Sequence, residues 1–242
     1  MSNNYDALFS GVIGKDYDML NLICPLATKM SHLVGETLKN YADTKSNELT
    51  VVELGGGTGI TTLALLNASS NTQILSVDNE PVMQNQAKKT LAKWVNTGQL
   101  AFSNHDALTA LQNLPNTSVD VIASAYTLHN FEQSYRIKVI HEMFRILKND
   151  GIFINGDRYA LDDISVHTRA TQNEIADYFR ILIGENKLDL LEHWIIHLFN
   201  DESENHIMRE SIALEQLRDV GFANVMLSNR TAVNALVTAQ KL

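Results

Sequence analysis

The stretch Val51-Val52-Glu53-Leu54-Gly55-Gly56-Gly57-Thr58-Gly59 constrains this chain more than any other. An apolar run with the character of a buried strand ends in an acid, meets four glycines within five positions, and passes into a helical pattern over 61–67. Glycine tolerates positive φ and lets a ligand approach the backbone where a side chain would collide. The helix start beyond it offers unpaired N–H groups and a partial positive charge. Strand, glycine turn and helix in this order form the ligand-binding opening of an open α/β sheet. The dinucleotide fingerprint spaces its glycines G-x-G-x-x-G, with an acid about 20 positions on. Here the spacing is G-x-G-x-G, position 60 is Ile, and Glu53 stands before the glycines. That arrangement suits a ligand with a cationic amino-acid end better than a pyrophosphate.

Short β-rich runs alternate with helical periodicities through the rest of the chain, which predicts a doubly wound α/β fold. The strands fall at 49–54, 73–78, 99–104, 118–125 and 151–156. Pro81 opens a helix with Met83, Ala87, Leu91 and Trp94 on its apolar face. Another helix carries Ile140, Met143, Phe144 and Leu147 and stops before Asn149-Asp150-Gly151. Residues 17–40 read as helical with a kink at Pro25. Residues 165–200 read as mostly helical, and 206–220 as a helix ending at Gly221. The runs 224–229 and 232–240 predict a closing hairpin that turns at Asn229-Arg230. The whole reads as one domain over 1–242. Residues 1–40 form an N-terminal helical cap, and 160–210 a helical insertion that builds part of a substrate pocket.

Two more ligand positions follow the next strands. Asp78, ahead of Asn79, ends the second strand, where a carboxylate can accept both hydroxyls of a ribose. Asp106, ahead of Ala107, ends the third, placed to accept from an adenine amino group. All three elements lie at carboxyl ends of successive strands, where open α/β sheets bind their ligands.

On these residues the chain resembles the class I S-adenosylmethionine (SAM)-dependent methyltransferases. ELGGGTG is similar to their glycine motif, SVDNEP to their acidic loop and NHDAL to their adenine loop, and VDVIASAYTLHNF and EMFRILKNDGIFING to their fourth and fifth strand regions. The resemblance implies a Rossmann-like seven-stranded sheet, order 3-2-1-4-5-7-6, with strand seven antiparallel. It implies SAM as cofactor and leaves a homodimer open. The whole-chain layout is also similar to the carboxy-SAM synthase family of tRNA wobble-uridine modification, through Asp16-Tyr17-Asp18, Asp78-Asn79, Asp106-Ala107 and the terminal hairpin. Carried over, Tyr17, Gly55, Gly56, Gly57, Asp78, Asn79, Asp106 and Ala107 line the cofactor, and Glu53 faces its amino-acid end. Ala125 takes the place of that family's cofactor-binding Asn, and 184–200 holds no Arg where that family has a carboxylate-binding one.

Tyr126, His129 and Asn130 follow strand four and fall beside the transferred methyl, with His129 the candidate proton acceptor and Tyr126 its companion. Asp157, Arg158 and Tyr159 follow strand five on the same rim. His193 and His197 have a metal-capable spacing, but with Trp194 between them and no third ligand apparent the expectation is that no metal is bound. Cys24 is the lone cysteine, which excludes an intramolecular disulfide and a cysteine metal cluster. A net charge of −9 disfavours a long nucleic-acid footprint without excluding one, and points to a small-molecule acceptor. The N-terminus lacks the basic and apolar regions of a signal peptide, and no run approaches the roughly 18 apolar residues of a membrane span. The expected setting is cytoplasmic. The leading expectation is a methyltransferase acting on a small molecule, with a carboxy-SAM synthase-like enzyme and a non-catalytic SAM-binding regulator as rivals. Ile60 disfavours an NAD-dependent oxidoreductase.

Overall fold

The computed structural model describes residues 25–242, and Tyr17 and Cys24 lie outside them. The first described helix is α1 (Pro25–Ala42), and the part of the expected 17–40 helix before Pro25 lies outside the described residues. Strand β1 (Leu49–Leu54) follows, with Val51 and Glu53 on one face of the pleat and Val52 and Leu54 on the other, all buried. A strand buried on both faces belongs at the centre of a sheet covered by helices.

The remaining elements are α2 (Ile60–Ala68), β2 (Thr72–Val77), α3 (Pro81–Thr90), α4 (Ala92–Asn96), β3 (Leu100–Ser103), α5 (Ala107–Gln112) and β4 (Val119–Ala125). After these come α6 (Gln133–Ile146), β5 (Leu147–Arg158), α7 (Ile164–Gly184), α8 (Leu188–Asp201), α9 (Glu210–Val220), β6 (Ala223–Thr231) and β7 (Asn234–Gln240). One seven-stranded sheet runs β3-β2-β1-β4-β5-β7-β6. The pairs among β1 to β5 are parallel, and β7 runs antiparallel to both β5 and β6. The expected order holds. One apolar layer joins Val51, Ile74, Val121 and Ile154 to Val34 and Leu38 of α1 and Leu65 of α2. The other joins Val52, Leu54, Ile122 and Phe153 to Val139 and Met143 of α6 and Leu217 of α9. The even and odd positions of the strands thus feed two separate cores.

Several boundaries depart from expectation, each for a local reason. The helix opened by Pro81 ends at Thr90, and Trp94 lies on the short α4 that follows. Residues 165–200 divide into α7 and α8 at a break holding Asn186 at φ 55. Helix α6 stops at Ile146 because Leu147 already pairs with Val119, so the Asn149–Gly151 turn sits as an irregularity inside β5. The hairpin turns at Ala232-Val233, where Thr231 faces Asn234. Asn229, at φ 51, lies at a register shift in β6. The last helix starts at Glu210, four residues after the expected 206, and ends at Gly221 (φ 116) as expected. Among the described residues no helix is long and apolar enough to cross a membrane.

Candidate active site

A cavity of about 1210 Å³, counting its open mouth, opens at the carboxyl ends of β1, β2 and β4. Its outer half is made by the glycine turn. Gly55 takes φ +72, and a methyl group there would meet the Thr127 hydroxyl at 1.9 Å. A methyl at Gly56 would lie 2.0 Å from Ser76 Oγ. Side chains are therefore excluded by packing against Thr127 and Ser76, and the bare backbone of the turn lines the cavity. Asp78 closes the turn from β2, its Oδ2 accepting from Gly57 N at 2.6 Å and its Oδ1 from Glu80 N at 2.8 Å. Gly55, Gly56, Gly57, Asp78, Asn79 and Ala107 all line this cavity, as do Ala125, Tyr126 and His129.

The inner half is polar at one wall and apolar elsewhere. Tyr126 sits at the end of β4 in the left-handed region, φ 51, an unusual state for a bulky residue and one that clusters at functional sites. Its hydroxyl donates to Asn234 Oδ1 on β7, and its ring meets the edge of His129 at 5.9 Å. His129 is buried, and its Nδ1 lies 2.5 Å from Asp157 Oδ1 at the end of β5. Asp157 is wholly buried, and its Oδ2 accepts from Leu128 N and Asn155 Nδ2. That pairing keeps the proton on Nδ1, which donates it in a hydrogen bond to Asp157, and leaves Nε2 as the atom available at the cavity. Burial works against the His129 cation, but the charges of Asp157 and Asp201 outweigh it and raise the pKa above its ordinary value. Burial likewise works against the Asp157 anion, and His129 and the surrounding donors outweigh it, so its pKa is lowered.

Behind this pair, Arg158 is gripped by Glu174 through two contacts, Nη1–Oε1 at 2.7 Å and Nη2–Oε2 at 3.1 Å. Glu202 takes Nη2 at 3.4 Å. Burial opposes the Arg158 charge, yet Glu174 and Asp201 hold it firmly cationic. Its guanidinium is committed to structure rather than open to an anionic substrate. Helix α8 adds His197 and Asp201, one turn apart and both buried. Burial depresses the His197 pKa and favours the neutral ring. Phe131, Tyr178 and Trp194 complete the apolar wall, the last two drawn from α7 and α8.

Two expected cofactor residues are placed elsewhere. Glu53 is wholly buried behind Gly56, where its Oε2 accepts from Thr62 Oγ1 at 2.7 Å, so it does not reach the cavity wall. The pleat sends its side chain to the same face as Val51, beneath the turn rather than toward the strand end. Asp106 caps α5, accepting from Thr109 N at 3.0 Å and from Thr109 Oγ1 and Tyr135 Oη at 2.6 and 2.8 Å. The neighbours of Asp106, His105 and Ala107, line the cavity in its place. His193 is exposed and does not pair with His197 in a site. The residue one turn along, Asp201, is the one that joins His197 and His129, a relation the spacing 197–201 carried but sequence reasoning missed.

A family model described as a methyltransferase domain matches residues 51–151. A demethylmenaquinone methyltransferase of Leptospira interrogans is 35% identical over 127 residues, covering 52% of this chain and 48% of that protein. The chain thus matches about half the length of that relative. A carboxy-S-adenosyl-L-methionine synthase of Nautilia profundicola is 26% identical over 214 residues, 86% of this chain and 82% of that one. An O-methyltransferase family protein of Burkholderia thailandensis shares the fold, with a TM-score of 0.64 at 19% identity, over 89% of this chain and 56% of that chain. Residues 51–151 are thus similar to a methyltransferase domain, and the sheet order and the likeness to the Burkholderia protein place the chain in the seven-stranded Rossmann-like fold that such domains use.

Proposed function

We propose that the protein transfers a methyl group from SAM to an oxygen of a small, largely apolar acceptor. The observation that carries this reading is the buried His129–Asp157 pair on the wall of the cavity that the glycine turn and Asp78 open. The bare backbone of Gly55 and Gly56 and the carboxylate of Asp78, all on the cavity wall, suit the amino-acid and nucleoside ends of SAM. When bound, SAM supplies an activated methyl group on a sulfonium sulfur.

The protein's contribution is then mainly geometric, holding acceptor and methyl in line and excluding water. A proton acceptor is needed only where the nucleophile must lose a proton, which a hydroxyl or enol must do. His129 Nε2 is suited to that proton, since Asp157 fixes the ring and stabilises the imidazolium that results. Phe131, Tyr178 and Trp194 favour an aromatic or otherwise apolar acceptor. The methyltransferase name of the Leptospira relative agrees with methyl transfer and leaves the acceptor atom to the His129–Asp157 argument.

The synthase reading draws on the likeness to the Nautilia protein over most of both chains. Against it stand the engagement of Arg158 by Glu174 and the absence of Arg from 184–200, which leave those positions without a free guanidinium for a carboxylate. Calorimetric titration with SAM, S-adenosylhomocysteine and NAD tests the assignment, with mass spectrometry of any co-purified ligand. Binding of the first two but not NAD is the expected result. A carboxylated SAM in the spectrum would move the assignment to the synthase, and binding of NAD alone would end it.

A further inference from the structure

Asp201 is a buried carboxylate whose surroundings are not explained by hydrogen bonding. Its side chain is 5% exposed, and its Oδ1 has no hydrogen-bond partner. Its Oδ2 faces three nitrogens, each beyond hydrogen-bond range: His197 Nε2 at 3.6 Å, His129 Nε2 at 3.8 Å and Arg158 Nε at 3.9 Å. A buried carboxyl group held this way leaves water without gaining close partners, which is costly unless something else occupies the gap.

We propose that His129, His197 and Asp201 are three ligands of a divalent first-row transition cation whose remaining positions open on the acceptor end of the cavity. Their donor atoms all lie within 4.8 Å of one another, the one such cluster among the described residues. Donors about 2.0–2.2 Å from a tetrahedral cation stand roughly 3.3–3.6 Å apart. The His197–Asp201 and His129–Asp201 separations of 3.6 and 3.8 Å are near that range. The two imidazoles, within 4.8 Å of each other, would have to draw together by up to about 1 Å. Two imidazoles and one carboxylate are a donor set suited to zinc, iron(II), cobalt(II) or manganese(II), and not to calcium. Asp157 on His129 Nδ1 supplies the outer support that metal-binding imidazoles use, fixing the tautomer that leaves Nε2 as donor. Arg158, 3.9 Å from Asp201, has its closer contacts with Glu174 and Glu202. All three ligands line the cavity, so a bound cation would have positions open to an incoming oxygen.

Cation binding stands by itself, and only its use rests on the methyl-transfer reading. There the cation would polarise the acceptor O–H, whose proton then leaves to solvent because the Nε2 lone pair is given to the metal. The test uses the tag-free chain, stripped with a chelator and dialysed. It is titrated with Co²⁺ followed by visible absorption and with Zn²⁺ followed by calorimetry. One equivalent should bind, with visible bands as strong as those of a low-coordinate site. His197→Gln and Asp201→Asn should each weaken binding by more than about 100-fold, beyond the cost of losing a ligand's supporting hydrogen bond. His193→Gln, on the exposed turn before, should match the parent. Absence of saturable binding in the parent would overturn the site whatever the variants do, as would undiminished binding in both ligand variants. Titrating SAM into the same samples separates the two readings. SAM binding without cation binding sinks only this inference, and cation binding without SAM binding sinks only the methyltransferase assignment.

Discussion

His129 Nδ1 and Asp157 Oδ1 meet at 2.5 Å, with neither side chain open to water. The two residues stand 28 positions apart and come together because β4 and β5 are parallel neighbours whose carboxyl ends finish at the same level.

Replacing Asp157 by Asn should reverse the balance on that imidazole. With the Asp157 charge gone, burial dominates and the His129 pKa should fall below its ordinary value instead of standing above it. Titration of the His129 ring by NMR reads this without any substrate. With an acceptor in hand, turnover should drop by about 10²-fold or more while SAM affinity stays nearly constant. In the parent, activity should climb as pH rises through the raised His129 pKa, since the neutral ring is the working form. An unmoved ring pKa in the variant would remove Asp157 from this role.

Asp78→Ala should weaken SAM binding by about 10²-fold, the scale of one or two charge-assisted hydrogen bonds. Part of that loss belongs to the turn, because Asp78 also accepts from Gly57 N and Glu80 N. Asp78→Asn keeps an acceptor there and should lose less. Calorimetry on both variants, with circular dichroism to confirm folding, gives the answer. Parent-like affinity in a folded Asp78→Ala protein would displace the cofactor from this pocket.

Gly56→Ala should lower stability by about 1–3 kcal/mol, because the new methyl falls 2.0 Å from Ser76 Oγ. The backbone at Gly56 is not in the left-handed region, so the clash alone carries the cost. Adding Ser76→Ala removes the offending oxygen and should recover part of the loss, although Glu53 Oε2 remains 3.2 Å away. A double-mutant cycle by urea denaturation measures the coupling. Strictly additive losses would show that the turn yields in some other way.

Glu53 gives the fold a pH dependence. Burial raises its pKa from 4.5 to about 7, partly offset by the Ser76 and Thr62 hydroxyls. A carboxyl whose folded pKa is raised binds its proton more tightly in the native state. Its contribution is therefore complete below pH 4.5 and is lost as pH rises through about 7, by roughly 3 kcal/mol in all. Glu53→Gln should flatten the parent's fall in stability between about pH 5 and pH 8. Parallel curves for the two proteins would mean that Glu53 does not titrate in that range.

Much of the scaffold was legible because its signals are local. Buried parallel strands read as apolar runs, and the turn after β1 needs glycines whose absence of a side chain is visible in the sequence. Residues that act through their own backbone position, such as Gly55 and Asp78, could be placed by counting from a strand end. Glu53 and Asp106 could not, since both have the right chemistry at the right level of the sheet. What separates them from Asp78 is direction, set by the pleat for Glu53 and by a helix cap with Thr109 and Tyr135 for Asp106.

The sequence by itself determined the strands and the glycine turn, because these follow from periodicity and from what a bare backbone permits, while the order of the sheet was what the resemblance implied. Only the tertiary structure decided which polar side chains work together at the inner wall. His129, Asp157, His197 and Asp201 lie on three separate elements, and helical spacing favoured His193 as the partner of His197 as readily as Asp201. The choice fell to burial, since α8 packs one face against the cavity and leaves His193 in water.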